Sequence, residues 1–222
     1  MPIPQGALAF LLLPSALLLT ACGSPSYHYV KNSGDRTYFK VPADWHRIDD
    51  KSLTTALNPT VDPASATAAV LDKATWSAAF DADDEPSASH LFGIGNDQPF
   101  VYATVSRMTR DEAGALSLNQ LRDLFLPVTE AARKTATDRG VELQGFELLR
   151  DDLLTPGHGV RGVHTTYNYV VSIGALQTFD LTAYASDDGR LFWMVVRCSA
   201  RCFKDRSSEL DTIATSFTVR NT

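Results

Sequence analysis

The chain has 222 residues, with 20 Lys and Arg against 26 Asp and Glu, a net charge of −6, and three cysteines. This length suggests a single domain, and 44% hydrophobic with 21% charged residues excludes a disordered or fibrous chain. An acidic balance without a basic block argues against nucleic acid as the main partner. An odd number of cysteines does not fit a purely disulfide-bonded exported protein.

The N-terminal segment has the pattern of an export signal. Residues 1–21 contain no charged side chain, and residues 7–21 form an apolar run that only Pro14, Ser15 and Thr20 interrupt. Such a run is too short to span a bilayer as a helix and is typical of a secretory signal peptide.

The end of this run, Leu19-Thr20-Ala21-Cys22 followed by Gly23, resembles the lipobox of bacterial lipoproteins. The resemblance implies cleavage between Ala21 and Cys22. It also implies diacylglyceryl and acyl groups on Cys22, which would hold the mature protein at an extracytoplasmic membrane surface, because two or more acyl chains anchor stably. Residues 1–6 lack the Lys or Arg that such signals usually carry. A plain signal peptide with a chance cysteine, or a buried apolar helix, are the alternatives.

Residues 22–37 are polar and rich in Gly, Ser and Pro. This composition predicts a flexible tether, lipidated at its first residue, between the membrane and the folded part of the chain. The predicted organisation is therefore a signal peptide over residues 1–21, a tether over 22–37 and a single domain over 38–219.

The other two cysteines, Cys198 and Cys202, have three residues between them. Outside the cytoplasm such a pair predicts a structural disulfide that joins a strand end to the following helix. A redox pair prefers two intervening residues, and a metal site needs further ligands, although no histidine lies nearby in the sequence. Free thiols remain the last alternative.

The first half of the domain contains three predicted strands and two predicted helices. The strands cover residues 38–42, a segment around Trp76 that ends near Phe80, and residues 99–108, where the side chains alternate. A first helix begins near Asp49, and residues 58–69 are a predicted loop. A second helix covers residues 117–139, with Ser117 and Gln120 as a capping box and Pro127 as a kink or restart point. Its apolar stripe consists of Leu118, Leu121, Phe125, Val128 and Ala132.

The second half is predicted to be mostly antiparallel strands. They begin near Phe146, Arg161 and Thr178, and the last one, residues 191–196 (LFWMVV), is apolar throughout and therefore central in the sheet. A tight turn at residues 188–189 joins the last two. Residues 210–217 form a short amphipathic helix. Strands with hairpin links and few helices predict an α+β fold.

Two segments together resemble the PsbP-like family: residues 39–42 (FKVP) followed by Trp45, and the ending from the 188–189 turn to residues 213–217 (IATSF). The family includes bacterial lipoproteins of the LpqN and DcrB types, and with the lipobox the chain is most similar to those of actinobacteria. The resemblance implies an α/β/α sandwich around a central antiparallel sheet. It also implies a non-catalytic protein that binds or assembles something and needs no cofactor.

Signals for other chemistry are weak. The acidic residues Asp81, Asp83, Asp84 and Glu85 could bind Ca²⁺ or form a solvated loop, and they lack the glycine and spacing of an EF-hand. Residues 157–162 match G-x-G-x-x-G but lead into a strand, so no helix N-terminus is available for a pyrophosphate. The five histidines are predicted to be surface or half-buried side chains, and the three tryptophans to be packing residues.

The sequence therefore predicts a lipid-anchored, extracytoplasmic binding or assembly module of the cell envelope, without catalysis and with an envelope protein as its partner. A carrier of a small apolar ligand would require a large apolar cavity. A cell-envelope hydrolase would require a cleft with a histidine and a carboxylate within hydrogen-bond reach.

Overall fold

The computed structural model describes residues 26–60, 73–92, 96–141, 143–171 and 175–220. The strands in chain order are β1 (Tyr27–Asn32), β2 (Thr37–Pro42), β3 (His46–Ile48), β4 (Ala74–Asp81), β5 (Phe100–Arg107), β6 (Gln144–Gly157), β7 (Val160–Val171), β8 (Ala175–Ser186), β9 (Arg190–Ser199) and β10 (Thr218–Val219). The helices are α1 (Asp50–Thr60), α2 (Arg110–Ala115), α3 (Leu118–Arg122), α4 (Glu130–Asp138), α5 (Ala200–Asp205) and α6 (Ser207–Ser216), with a 3-10 helix at Ala88–Phe92.

A seven-stranded antiparallel sheet in the order β3-β4-β5-β9-β8-β7-β6 forms the centre of the described structure. The prediction that the apolar run 191–196 lies centrally is confirmed, because β9 is the fourth of the seven strands and this run is buried on both faces. A smaller antiparallel sheet has the order β1-β2-β10. These features confirm the α+β class with a central antiparallel sheet.

The two faces of the large sheet are covered by different elements. On the first face, α1, the 3-10 helix and the segment from Leu121 to Val128 pack on Tyr102, Phe179 and Trp193. On the second face, β1, β2, α5 and α6 pack on β4, β5 and β9. The second covering layer is thus a small sheet with the two helices α5 and α6, rather than helices alone.

The second face has two parts of opposite character. Its apolar half consists of the inward side chains of β5 and β9, namely Val101, Ala103, Val105, Phe192, Met194 and Val196. Its polar half consists of the neighbouring side chains of β7 and β8, namely His164, Thr166, Asn168, Thr178, Asp180 and Thr182. The β8–β9 register places Thr182 opposite Met194 and Asp180 opposite Val196, so the change occurs between adjacent strands.

The predicted helix over residues 117–139 is wrong as one element, because it is divided into α3 and α4. The capping box at Ser117 and Gln120 is confirmed. Residues 123–129 are not helical, since Pro127 has no amide hydrogen to donate and the Asp123 carboxylate accepts hydrogen bonds from Val128 N and Thr129 N at 2.7 and 2.8 Å. Thr129 then caps α4, so the proline restarts the helix rather than kinking it.

The predicted boundary of the domain at residue 38 also needs correction. Residues 27–32, assigned from composition to the tether, form β1 and pair with β2 over their whole length. The Asn32 side chain accepts hydrogen bonds from Gly34 N and Asp35 N and so closes the hairpin turn, while Val30 is buried. The folded part of the chain therefore begins no later than Tyr27. Of the loop predicted over residues 58–69, residues 58–60 are the end of α1, and 61–69 lie outside the described residues.

Candidate functional site

The predicted processing residues, Ala21 and Cys22, lie outside the described residues. Among the helices that the structure describes, none is both long and apolar enough to cross a bilayer.

Cys198 and Cys202 form a disulfide with a Cα–Cα distance of 5.8 Å. Cys198 is the penultimate residue of β9, and Cys202 lies in α5. The bond therefore joins the end of the central strand to the next helix, as the sequence predicted.

The acidic residues at positions 81–85 are not arranged as a ligand set. Asp81 is fully buried, and its carboxylate accepts hydrogen bonds from Asp83 N at 3.1 Å and Ser87 N at 2.9 Å. The Asp83 carboxylate accepts one from Glu85 N at 2.8 Å. Within the described ranges, no three His, Cys, Asp or Glu side chains are placed to hold a metal ion. These carboxylates instead stabilise the turn after β4.

The G-x-G-x-x-G segment forms the β6–β7 hairpin, in which Gly157 pairs with Val160. His158 and Gly159 form the turn with φ values of 54° and 71°. Two successive positive φ angles are typical of a type I′ turn, which glycine favours. The segment leads into β7, so the structure supports its interpretation as a strand connection.

Two histidines are paired with buried carboxylates. The prediction of surface or half-buried histidines is wrong for His164, which is buried, whereas His90 is half-buried. His164 Nε2 lies 2.5 Å from Asp180 Oδ1 in the polar half, and His90 Nδ1 lies 2.7 Å from Asp81 Oδ2. His90 also contacts the Asn96 side chain at 2.8 Å. In the described part of the chain, no hydroxyl or thiol is hydrogen-bonded to either ring, so neither pair has the nucleophile that a hydrolytic triad requires.

A buried arginine holds the segment after β4 against the central sheet. Arg197 on β9 donates hydrogen bonds to the carbonyl oxygens of His90 and Asn96 and to Gln177 Oε1, the last two at 3.1 Å. Burial lowers the pKa of Arg197 to about 10, against the opposing effect of Asp81 and Asp97. Because all three hydrogen-bond acceptors belong to the protein, Arg197 fixes the position of the segment after β4. Its guanidinium group is fully buried and is not accessible to a ligand.

An open groove lies where the free edges of the two sheets meet, and we call it the edge groove. It runs between β1, an edge strand of the small sheet, and β3, an edge strand of the large one. Its volume is about 680 Å³, within the usual range of ligand sites. Its aromatic lining consists of His28, Tyr29, Trp45, Trp76 and Phe80.

Local geometry fixes these rings. The His28 ring stacks on Phe80 with 5.8 Å between centroids, which holds β1 over β4. Trp45 is buried beneath the groove, where the backbone turn from Trp45 N to Pro42 O places it. Its indole N–H has no hydrogen-bond acceptor among the described residues. Tyr29 is 60% exposed at the rim. The aromatic side chains of the edge groove are thus held in fixed positions, and the buried indole N–H of Trp45 makes no hydrogen bond to a described residue.

The charged residues that line the edge groove are mostly cationic, although the chain as a whole is acidic. Lys31 and Arg47 contribute two positive charges against one negative charge from Asp44, and His28 and His46 add more when they are protonated. Within the described residues, neither Lys31 nor Arg47 has a carboxylate partner within 4.0 Å. The charge is therefore available to an anionic ligand.

The sequence did not predict this site, because its lining comes from three separate segments, namely residues 28–31, residues 43–47 and strand β4. The signal that could have indicated β1 is the pattern of Tyr27, Tyr29 and Val30 before a turn sequence at residues 32–35 (NSGD) and a second strand. The Gly, Ser and Pro content of the segment concealed this hairpin pattern.

The described residues form an α+β domain with a cationic, aromatic groove at one end of its central sheet. No family model and no curated protein matches the sequence. Among solved structures, the chain is similar to the PsbP protein CyanoP of Synechocystis sp. PCC 6803, with 16% identity, a TM-score of 0.49, and coverage of 90% of this chain and 96% of that chain. It is also similar to LpqN of Mycobacterium tuberculosis, which is involved in cell envelope biogenesis, with 15% identity, a TM-score of 0.46 and 83% of each chain covered.

Proposed function

We propose that this protein is a lipid-anchored, extracytoplasmic binding module without catalytic activity, and that the edge groove is its binding site. The observation that carries the proposal is the groove itself, in which Lys31 and Arg47, two exposed cations without a carboxylate partner among the described residues, lie beside a buried aromatic floor. Concave sites with an apolar lining and a few charged groups are where proteins bind ligands.

Two features support a location outside the cytoplasm. The Cys198–Cys202 disulfide is of a kind that persists in oxidising compartments. The lipobox resemblance at Ala21 and Cys22 supports export and acylation. With Cys22 assigned to lipid, the odd cysteine count is explained.

The site geometry favours binding over the two alternatives. A hydrolase of this kind requires a histidine–carboxylate pair and a nucleophile. The His164–Asp180 and His90–Asp81 pairs meet the first requirement only, because neither has a hydroxyl or thiol partner among the described residues. Three grooves formed by described residues are open and include charged side chains in their lining, unlike the dry aliphatic cavity expected of an apolar carrier.

The anchor is tested by Cys22→Ala. Metabolic labelling with an alkyne fatty acid should mark the wild-type protein and leave the variant unmarked, because no other thiol is free to be acylated. Ser24→Ala, two residues away, is the matched control and should label normally. Labelling that survives Cys22→Ala contradicts the anchor.

The binding site is tested by Tyr29→Ala combined with Trp76→Ala. The tagged wild-type protein, purified from solubilised membranes, should carry a stoichiometric lipid or protein that the groove variant loses. Leu149→Ala, at an exposed position on the β6 edge, is the control and should retain it. Equal recovery from all three proteins would contradict a role for the edge groove.

A further inference from the structure

The folded domain begins close to the proposed anchor. Ser26 O already accepts a hydrogen bond from Ala43 N at 3.1 Å, and β1 begins at Tyr27. Only four residues, 23–26, separate Cys22 from Tyr27. Since an extended chain spans at most about 3.6 Å per residue, the Cα atoms of Cys22 and Tyr27 are within about 18 Å of each other.

This short connection determines which part of the domain can reach the bilayer. His28, Tyr29 and Lys31 follow directly on β1 and line the edge groove. The opposite edge of the large sheet, β6, is six strand spacings from β3, or roughly 29 Å. A domain anchored through Cys22 therefore has the edge groove near the headgroups and β6 away from them.

The chemistry of the edge groove matches that position. The exposed Tyr29 ring has the amphipathic character of aromatic residues at membrane interfaces. Lys31 and Arg47 are unpaired within the described residues, and guanidinium and ammonium groups bind phosphate oxygens. Cationic side chains within about a Debye length of an anionic lipid surface, about 8–10 Å, are attracted to it.

We infer that the edge groove lies against the membrane and binds the headgroup of an anionic phospholipid. The inference rests on the proposed function, because it requires acylated Cys22, and it names the ligand of the same site. Asp44 is the one carboxylate in the groove lining, so the net charge there favours a phosphodiester over a cationic ligand.

The test uses the full lipidated protein reconstituted in vesicles of phosphatidylcholine, with or without phosphatidylglycerol. A benzoylphenylalanine photocrosslinker replaces Tyr29 or, as the control, Leu149 on β6. Illumination should give lipid adducts at position 29 and not at 149, and phosphatidylglycerol should increase their yield. Equal adducts at both positions, or adducts at position 29 to a second copy of the protein, would overturn the inference.

Charge reversal then tests the headgroup assignment. Lys31→Glu with Arg47→Glu should lower the yield of phosphatidylglycerol adducts by roughly tenfold or more, since each basic residue near the surface contributes. Lys134→Glu with Arg201→Glu makes the same change in net charge at exposed positions outside the groove and should leave the yield unchanged.

Mass spectrometry of the same samples separates the two proposals. Cys22 without acyl groups would contradict the anchor and the inference together. Acylated Cys22 with no preferential adduct at position 29, or with adducts that charge reversal does not lower, would overturn the inference and leave the anchored binding module in place.

Discussion

The two halves of the second sheet face are both buried but differ in how they are stabilised. Over the apolar half, Phe39 from the covering strand β2 contacts Trp76, Phe80 and Phe217 edge-on, with centroids 6.3 to 6.5 Å apart, in the same apolar cluster. In the polar half, Thr178 Oγ1 donates to Asn168 Oδ1 at 2.7 Å, and Asn168 Nδ2 donates to Glu147 at 2.9 Å. One half thus depends on close packing, and the other depends on a chain of hydrogen bonds that extends to the β6 edge.

The difference shows what each half contributes to the domain. Apolar burial is non-directional and stabilises in proportion to area, whereas a buried polar network stabilises only when each member has its partner. The small sheet that forms one wall of the edge groove is attached through the apolar half. The position of the groove should therefore depend on packing and be insensitive to changes in the polar half.

Phe39→Ala should have the largest effect on stability. The side chain is fully buried and its removal leaves a cavity among three aromatic rings, so the free energy of unfolding should fall by about 3–5 kcal/mol. Urea denaturation followed by far-UV circular dichroism measures this loss. Tyr38→Ala, at the preceding residue of the same strand, should lower the free energy of unfolding far less. A similar decrease for both variants would argue against the packing role of Phe39.

His164→Leu should lower the free energy of unfolding by about 3 kcal/mol, because it leaves the Asp180 carboxylate buried without its partner. The double change with Asp180→Val removes both groups and should cost less than the sum of the single changes. A double-mutant cycle in urea measures the difference. Strictly additive losses would show that the pair does not interact.

The sequence predicted the apolar half much better than the polar half. The apolar run at residues 191–196, directly after the turn at residues 188–189, identified β9 as a central strand, because a short run that is apolar on both faces and follows a turn is typical of a buried strand. The alternation in β7 and β8 was also visible. A polar residue in an alternating strand normally faces water, however, so the burial of His164, Thr166 and Asp180 could not be read from the pattern. Their burial depends on neighbours that are distant in sequence.

Loss of the disulfide should have a smaller effect than loss of the His164–Asp180 contact. Cys198→Ala with Cys202→Ala removes a cross-link that closes a very short loop. For a loop of this length, the chain-entropy relation predicts that the free energy of unfolding falls by about 2 kcal/mol. The urea midpoint of the wild-type protein in dithiothreitol should shift to that of the double variant. A reductant that leaves the wild-type midpoint unchanged would contradict a stabilising disulfide.

Thr182→Val should have the smallest effect, and it should be a gain. Thr182 is buried and its hydroxyl has no hydrogen-bond partner among the described residues, so replacing the hydroxyl with a methyl group removes an uncompensated desolvation cost of about 1 kcal/mol. Thr178→Val is the matched control on the same strand and face, where the hydroxyl donates to Asn168 and its loss should destabilise by a similar amount. Opposite signs for the two substitutions in urea denaturation would show that the polar half is stabilised by specific hydrogen bonds. A loss at both positions would mean that Thr182 also has an acceptor, and the polar half would then be a fully connected network.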